Sequence, residues 1–165
     1  MKKFLFFSFA LILILATALL ASSCAKEKEI YDGGAIVFVS VKAQAGGFAA
    51  DASVTDADGK KTEMSVSGDF KFLADVLQKL KSEKGLTLEF DAYGMVAEIG
   101  TVKPAAGTNE FICVYLNSED LAYVDPLWGT VEVNGATYNS TSKGIGEMPV
   151  IDGFVFVFKV SVYSF

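Results

Sequence analysis

Few residues in this 165-residue chain have the type and spacing for chemistry. Glu89 and Asp91 would share one strand face about 7 Å apart, twice the strand rise, and paired carboxylates hydrolyse glycosides. The intervening alternation, Leu88 and Phe90, is apolar, so a solvated outer face accounts for both acids. Cys113 lies in Phe111-Ile112-Cys113-Val114-Tyr115-Leu116. A nucleophilic thiol needs a base and an electropositive setting, so these neighbours point to a buried structural thiol. Asp56-Ala57-Asp58-Gly59 opens like a calcium loop but lacks the third oxygen ligand and the closing Glu. It reads better as a hairpin turn. Gly144-Ile145-Gly146 begins like a phosphate loop, yet Pro149 stands where the third Gly belongs. The chain has no His, and all 14 cations are Lys. That excludes a Ser–His–Asp triad, a Cys–His pair and His-ligated zinc. It also excludes a guanidinium clamp. A formal charge of −6 argues against nucleic acid as a partner. No catalytic or metal-binding residue is assigned, and the chain reads as a non-enzyme.

The clearest chemistry is at Cys24. Lys2 and Lys3 precede an apolar run from Phe4 to Leu20, followed by Ala21-Ser22-Ser23-Cys24. Small residues before a Cys resemble the lipobox of bacterial lipoproteins, with Ala21 where Leu is usual. Residues 1–23 then form a signal peptide and Cys24 receives the lipid. Acyl chains hold such a protein on the membrane at about 0.8 kcal/mol per buried CH₂. The competing reading is an uncleaved anchor, for which the run is near the lower length limit. The mature chain keeps 12 Lys and all 20 acids, a formal charge of −8. Residues 24–33 read as lipidated Cys and polar tether. With Cys24 acylated, Cys113 is alone and no internal disulfide forms. These features place the protein in a bacterial cell envelope. Ala25 after the Cys favours the outer membrane in a Gram-negative cell.

From residue 34 onward the apolar period is mostly two. Val37, Val39 and Val41 alternate with Ile36, Phe38, Ser40 and Lys42, apolar on both faces at first, as in a central strand. Ala45 to Ala52 reads as a Gly/Ala loop. Two short runs, 52–55 and 60–67, flank the Asp/Gly turn as a hairpin. One helix is predicted, Phe70 to Glu83, with Phe70, Leu73, Val76, Leu77 and Leu80 on one side. Lys71, Asp75, Lys79 and Lys81 line the other. Ser67 or Asp69 would cap it and Gly85 would end it. Strands follow at 86–91, 95–99, 110–116, 129–133 and 154–163, with turns at Pro104–Gly107 and Asn134-Gly135. A single amphipathic helix must bury its stripe on a sheet. The expectation is an α+β domain over residues 34–165, a β-grasp-like mixed sheet with the helix packed on one face. Asn139-Ser140-Thr141 is a formal glycosylation sequon, read as a polar loop.

Most aromatic residues read as core. Tyr93 and Trp128 stand out because each precedes Gly at a strand start, where a ring can face a groove.

In this order the motifs resemble the bacterial domain similar to the C-terminal β domain of transcobalamin and intrinsic factor. The helix Phe72-Leu73-Ala74-Asp75-Val76-Leu77-Gln78-Lys79 matches that family's leucine-rich helix. Tyr93-Gly94 with Met95–Gly100 matches its Tyr-Gly strand. Met148–Gly153 with the strand from Phe154 matches its closing element. Its aromatic strand fits either Phe111–Asn117 or Trp128–Gly135. The resemblance implies a transcobalamin-like, β-grasp-like domain with a corrinoid-binding surface at Tyr93, Gly94, Trp128, Asn134 and Tyr138. In the vertebrate proteins a helical barrel supplies the other half of the site, and this chain has no such barrel. Lacking His, the chain would hold a corrinoid by shape, apolar contact and hydrogen bonds, with cobalt ligation unchanged. Two functions follow as expectations. One is a non-catalytic envelope lipoprotein binding a corrinoid or other small ligand. The other is an adhesion or assembly module docking an envelope protein partner through a strand edge or aromatic patch.

Overall fold

The computed structural model describes residues 29–162. Cys24, the signal segment 1–23 and Tyr163 of the last expected strand lie outside them. Ten strands and one α-helix are described, an α+β arrangement. They are β1 (Glu29–Ile30), β2 (Ile36–Gln44), β3 (Gly47–Thr55), β4 (Lys61–Gly68), α1 (Leu73–Lys84), β5 (Leu88–Phe90), β6 (Val96–Ile99), β7 (Glu110–Leu116), β8 (Thr130–Val133), β9 (Ala136–Ser140) and β10 (Val155–Val162). A 3₁₀ turn, Pro126–Trp128, precedes β8. Eight strands form one sheet in the order β1-β8-β9-β7-β10-β2-β3-β4, and β5 pairs with β6 alone. The sheet is mixed because β1 runs parallel to β8, whereas its other neighbours are antiparallel.

Alternation sets the two faces. Phe156 and Phe158 of β10 and Val37, Val39 and Val41 of β2 point to the face covered by α1. Leu73, Val76, Leu77 and Leu80 of the helix are fully buried there, as the stripe predicts. Ala45 to Ala52 is not a loop. Only Ala45 and Gly46 turn, and Gly47 already begins β3. Ala50 and Ala52 are buried under the helix layer, where a short side chain lets the two layers approach. Their small size is a packing requirement that composition disguises as a linker. The Asp56–Gly59 turn is the expected hairpin, with the Asp56 carboxylate accepting from the Asp58 and Lys60 amides at 3.0 and 2.9 Å.

The helix begins at Leu73, not Phe70, and its cap is neither Ser67 nor Asp69. Asp75 reaches back to accept from the amides of Lys71 (3.0 Å) and Phe72 (2.8 Å). Phe70 instead buries itself ahead of the helix. Gly85 closes the helix in the left-handed region, φ 73°, as expected. Asp75→Ala should therefore cost about 0.5–2 kcal/mol, the range for lost caps, read as a lower denaturation midpoint at unchanged m-value. The lysines of the outer side are not idle. Lys79 donates to the Ser67 carbonyl at 2.8 Å and Lys81 to that of Leu88, strapping the helix to its neighbours.

The opposite face buries Ile36, Cys113, Tyr115, Val131, Val133 and Val157, and among the described residues no helix covers them. The sheet covers this face by curling. Phe38 on β2 and Tyr138 on β9 meet edge to face with centroids 6.2 Å apart, although their strands lie three ladder steps apart, about 14 Å if flat. The chain also passes from Ile30 to Ile36 within a reach of about 21 Å. A flat sheet would separate β1 and β2 by five steps, about 24 Å.

Candidate functional site

The ladder between β7 and β9 is short. β9 pairs with β7 only at Tyr115↔Ser140 and Leu116↔Asn139. The Thr141 amide still donates to the Val114 carbonyl at 2.9 Å, and then the chain leaves the sheet. Val114 thus faces away from β10, and strand alternation turns the Ile112 amide and carbonyl the same way. Among the described residues no strand pairs with the edge of β7 beside Ile112. It forms one wall of a cleft of about 420 Å³, within the range of small-ligand sites.

Two turns make the other walls. The tip of the β5–β6 hairpin contributes Gly94 and Met95. It is tied by the Asp91 carboxylate, which accepts from the amides of Tyr93 (2.8 Å) and Met95 (2.9 Å). Asp91 is thus a turn anchor, and Glu89 pairs with Lys81 at 3.4 Å. Lys103 bonds Glu98 beside this hairpin, and that hydrogen bond, with the attraction of the same carboxylate, raises the ammonium pKa. The second wall is Trp128, on the 3₁₀ turn. The Asp125 carboxylate accepts from the Leu127 amide at 3.1 Å and Gly129 follows at φ 111°. Thr141 to Ile145 close the floor.

The fold therefore brings Gly94 and Trp128 together across 34 residues of sequence, at one cleft. Tyr93 stands beside it on the hairpin tip, 89 % exposed. Asn134 and Tyr138 are elsewhere. Asn134 makes the β8–β9 turn at φ 52° with Gly135 at 79°, the Asn-Gly hairpin geometry. Tyr138 packs on Phe38 inside the curl. Within that curl, burial and the neighbouring Asp32 raise the Tyr31 phenol pKa. Asn139, the sequon residue, is in β9 and donates to the Ser118 carbonyl at 2.7 Å. Cys113 is buried with its sulfur 3.2 Å from the Ser140 hydroxyl, beneath the cleft. The Ile112 backbone pair and Met95 carried no signal in the sequence, because a strand edge is exposed only by which neighbour departs. Comparison with protein-family models, curated proteins and solved structures finds no match.

Proposed function

We propose that the protein is a non-catalytic binding lipoprotein of the bacterial envelope, holding a small amide-bearing ligand in the cleft between β7, Trp128 and Gly94-Met95. The observation that carries this is the pairing of one aromatic wall with an open backbone edge. Trp128 offers a flat apolar face, and the Ile112 amide and carbonyl offer one donor and one acceptor matched to an amide. Gly94 has no side chain to hold a ligand off. A corrinoid is the first ligand to test, because the motifs from the Leu73 helix to the closing strand resemble the transcobalamin-like family. The single helix held against a mixed sheet supports the β-grasp-like reading. A cleft of this volume takes one edge of a corrin, and a partner would cover the rest. The docking of an envelope protein is the second reading, favoured by the same open edge, since an extended segment could continue the line of β9.

The test is titration of residues 25–165 with cobalamin, cobinamide and haem, read by calorimetry and by Trp128 fluorescence. Binding should quench Trp128, the sole Trp, beyond the inner-filter effect. No heat and no excess quenching at micromolar corrinoid would reject the corrinoid. The anchor has its own test. Cys24→Ser should move the protein from membrane to soluble or precursor fractions, and an uncleaved, unmodified wild-type N-terminus would disprove lipidation.

A further inference from the structure

Four of the eight exposed large apolar side chains among the described residues gather at the end of the sheet where the chain would be anchored. Trp128 (62 %) and Leu127 (72 %) share one turn there, and Tyr93 (89 %) and Met95 (54 %) share the other. Gly94, Met95 and Trp128 border one cleft, so the two turns form a single apolar rim. The strand directions bring the tether to the same end. β1 runs parallel to β8 with Glu29 level with Val131, so the chain enters the sheet from the end where β8 begins, beside Trp128. Cys24 precedes Glu29 by five residues, a reach of at most about 18 Å. A lipid on Cys24 therefore cannot hold the protein far from the bilayer, and β1 turns the Trp128 end toward it. Trp and Tyr beside aliphatic residues suit a membrane interface, where amphipathic rings sit at headgroup level. The mature chain carries a formal charge of −8, so attraction to anionic lipid is not the driving force.

We propose that this rim rests on the lipid surface, with Tyr93, Met95, Leu127 and Trp128 among the headgroups, so that the cleft works at the bilayer. The proposal rests on the lipid anchor at Cys24, and it does not depend on which ligand the cleft takes. It follows that the contact is apolar and insensitive to ionic strength, unlike one made by lysines.

The experiment uses the acylated full-length product in phosphatidylcholine vesicles, with spin labels placed shallow or deep in the acyl chains. Trp128 emission should shift to the blue and be quenched more by shallow than by deep labels, equally at low and high salt. Met95→Ser with Leu127→Ser should abolish most of that quenching while leaving the melting temperature unchanged, since both side chains are exposed. Emission and quenching equal to those of protein cleaved from its tether would overturn the proposal. A blue shift that grows with protein concentration without lipid would also overturn it, as self-association. Mass spectrometry of the N-terminal peptide separates the two failures. An unmodified Cys24 removes the anchor and this proposal with it, whereas an acylated Cys24 with unquenched Trp128 rejects the docked rim alone.

Discussion

Leu77→Ala should lower the unfolding free energy by about 2–5 kcal/mol, the cost of truncating a buried Leu. Leu77 is fully buried in the layer between α1 and the sheet, part of the core cluster that also holds Val39, Ala50 and Phe156. The sheet cannot collapse into the space left, because β2, β3 and β10 are fixed by their ladders on both sides. The cavity term therefore persists along with the lost transfer energy. Gln78→Ala is the control. Gln78 is the next residue and exposed, and its change should stay within about 0.5 kcal/mol. Lys79 is no such control, since it bonds the Ser67 carbonyl and lies over the Phe70 ring. Equal denaturation midpoints for the Leu77 and Gln78 variants would overturn the burial assignment.

What the sequence made legible was local. The Leu73–Leu80 stripe, the Asp56–Gly59 and Asn134-Gly135 turns and the alternation of β10 each depend on neighbours a few residues away. Period and turn chemistry record them directly. Ser67 and Asp69 have the right type to cap α1, whereas the cap comes from inside the helix at Asp75. The Ala-rich half of β3 resembles a loop in composition because alanine serves close layer packing and carries little strand signal. The curl of the sheet had no local trace at all. It arises from pairings across the chain, such as Glu29 with Val131 and Val162 with Glu110.

The site divides along the same line. An aromatic residue beside Gly near a strand start, as at Tyr93-Gly94 and Trp128-Gly129, is a local signature. That Gly94 and Trp128 face one cleft, while Asn134 and Tyr138 do not, follows from where β9 leaves β7. That departure comes at Ser140-Thr141, in a segment whose composition reads as a polar loop although Ala136–Ser140 is β9. An open ladder position beside Ile112 is a property of pairing, and no residue type announces it.

Trp128→Ala should weaken ligand binding by about 10-fold or more, or about 1.4 kcal/mol. Among the described residues the ring is the one large aromatic surface bordering the cleft that is also well exposed, and its turn is fixed before any ligand arrives. The Asp125 carboxylate holds the Leu127 amide, and the Trp128 amide donates to the Asp125 carbonyl at 3.0 Å. Little conformational entropy remains to be lost on binding, so removing the ring removes contact area from a preorganised wall. Trp128→Phe should recover part of the affinity, since Phe keeps a flat face of smaller area. Asn134→Gly supplies the contrast. It sits in the β8–β9 turn at positive φ, which Gly tolerates, and away from the cleft, so affinity should not change. Calorimetry on the three variants decides among sites. Loss at Trp128 with none at Asn134 assigns binding to the β7 cleft. Loss at Asn134 with none at Trp128 would move the ligand to the far end of the β8–β9 hairpin and reject the cleft.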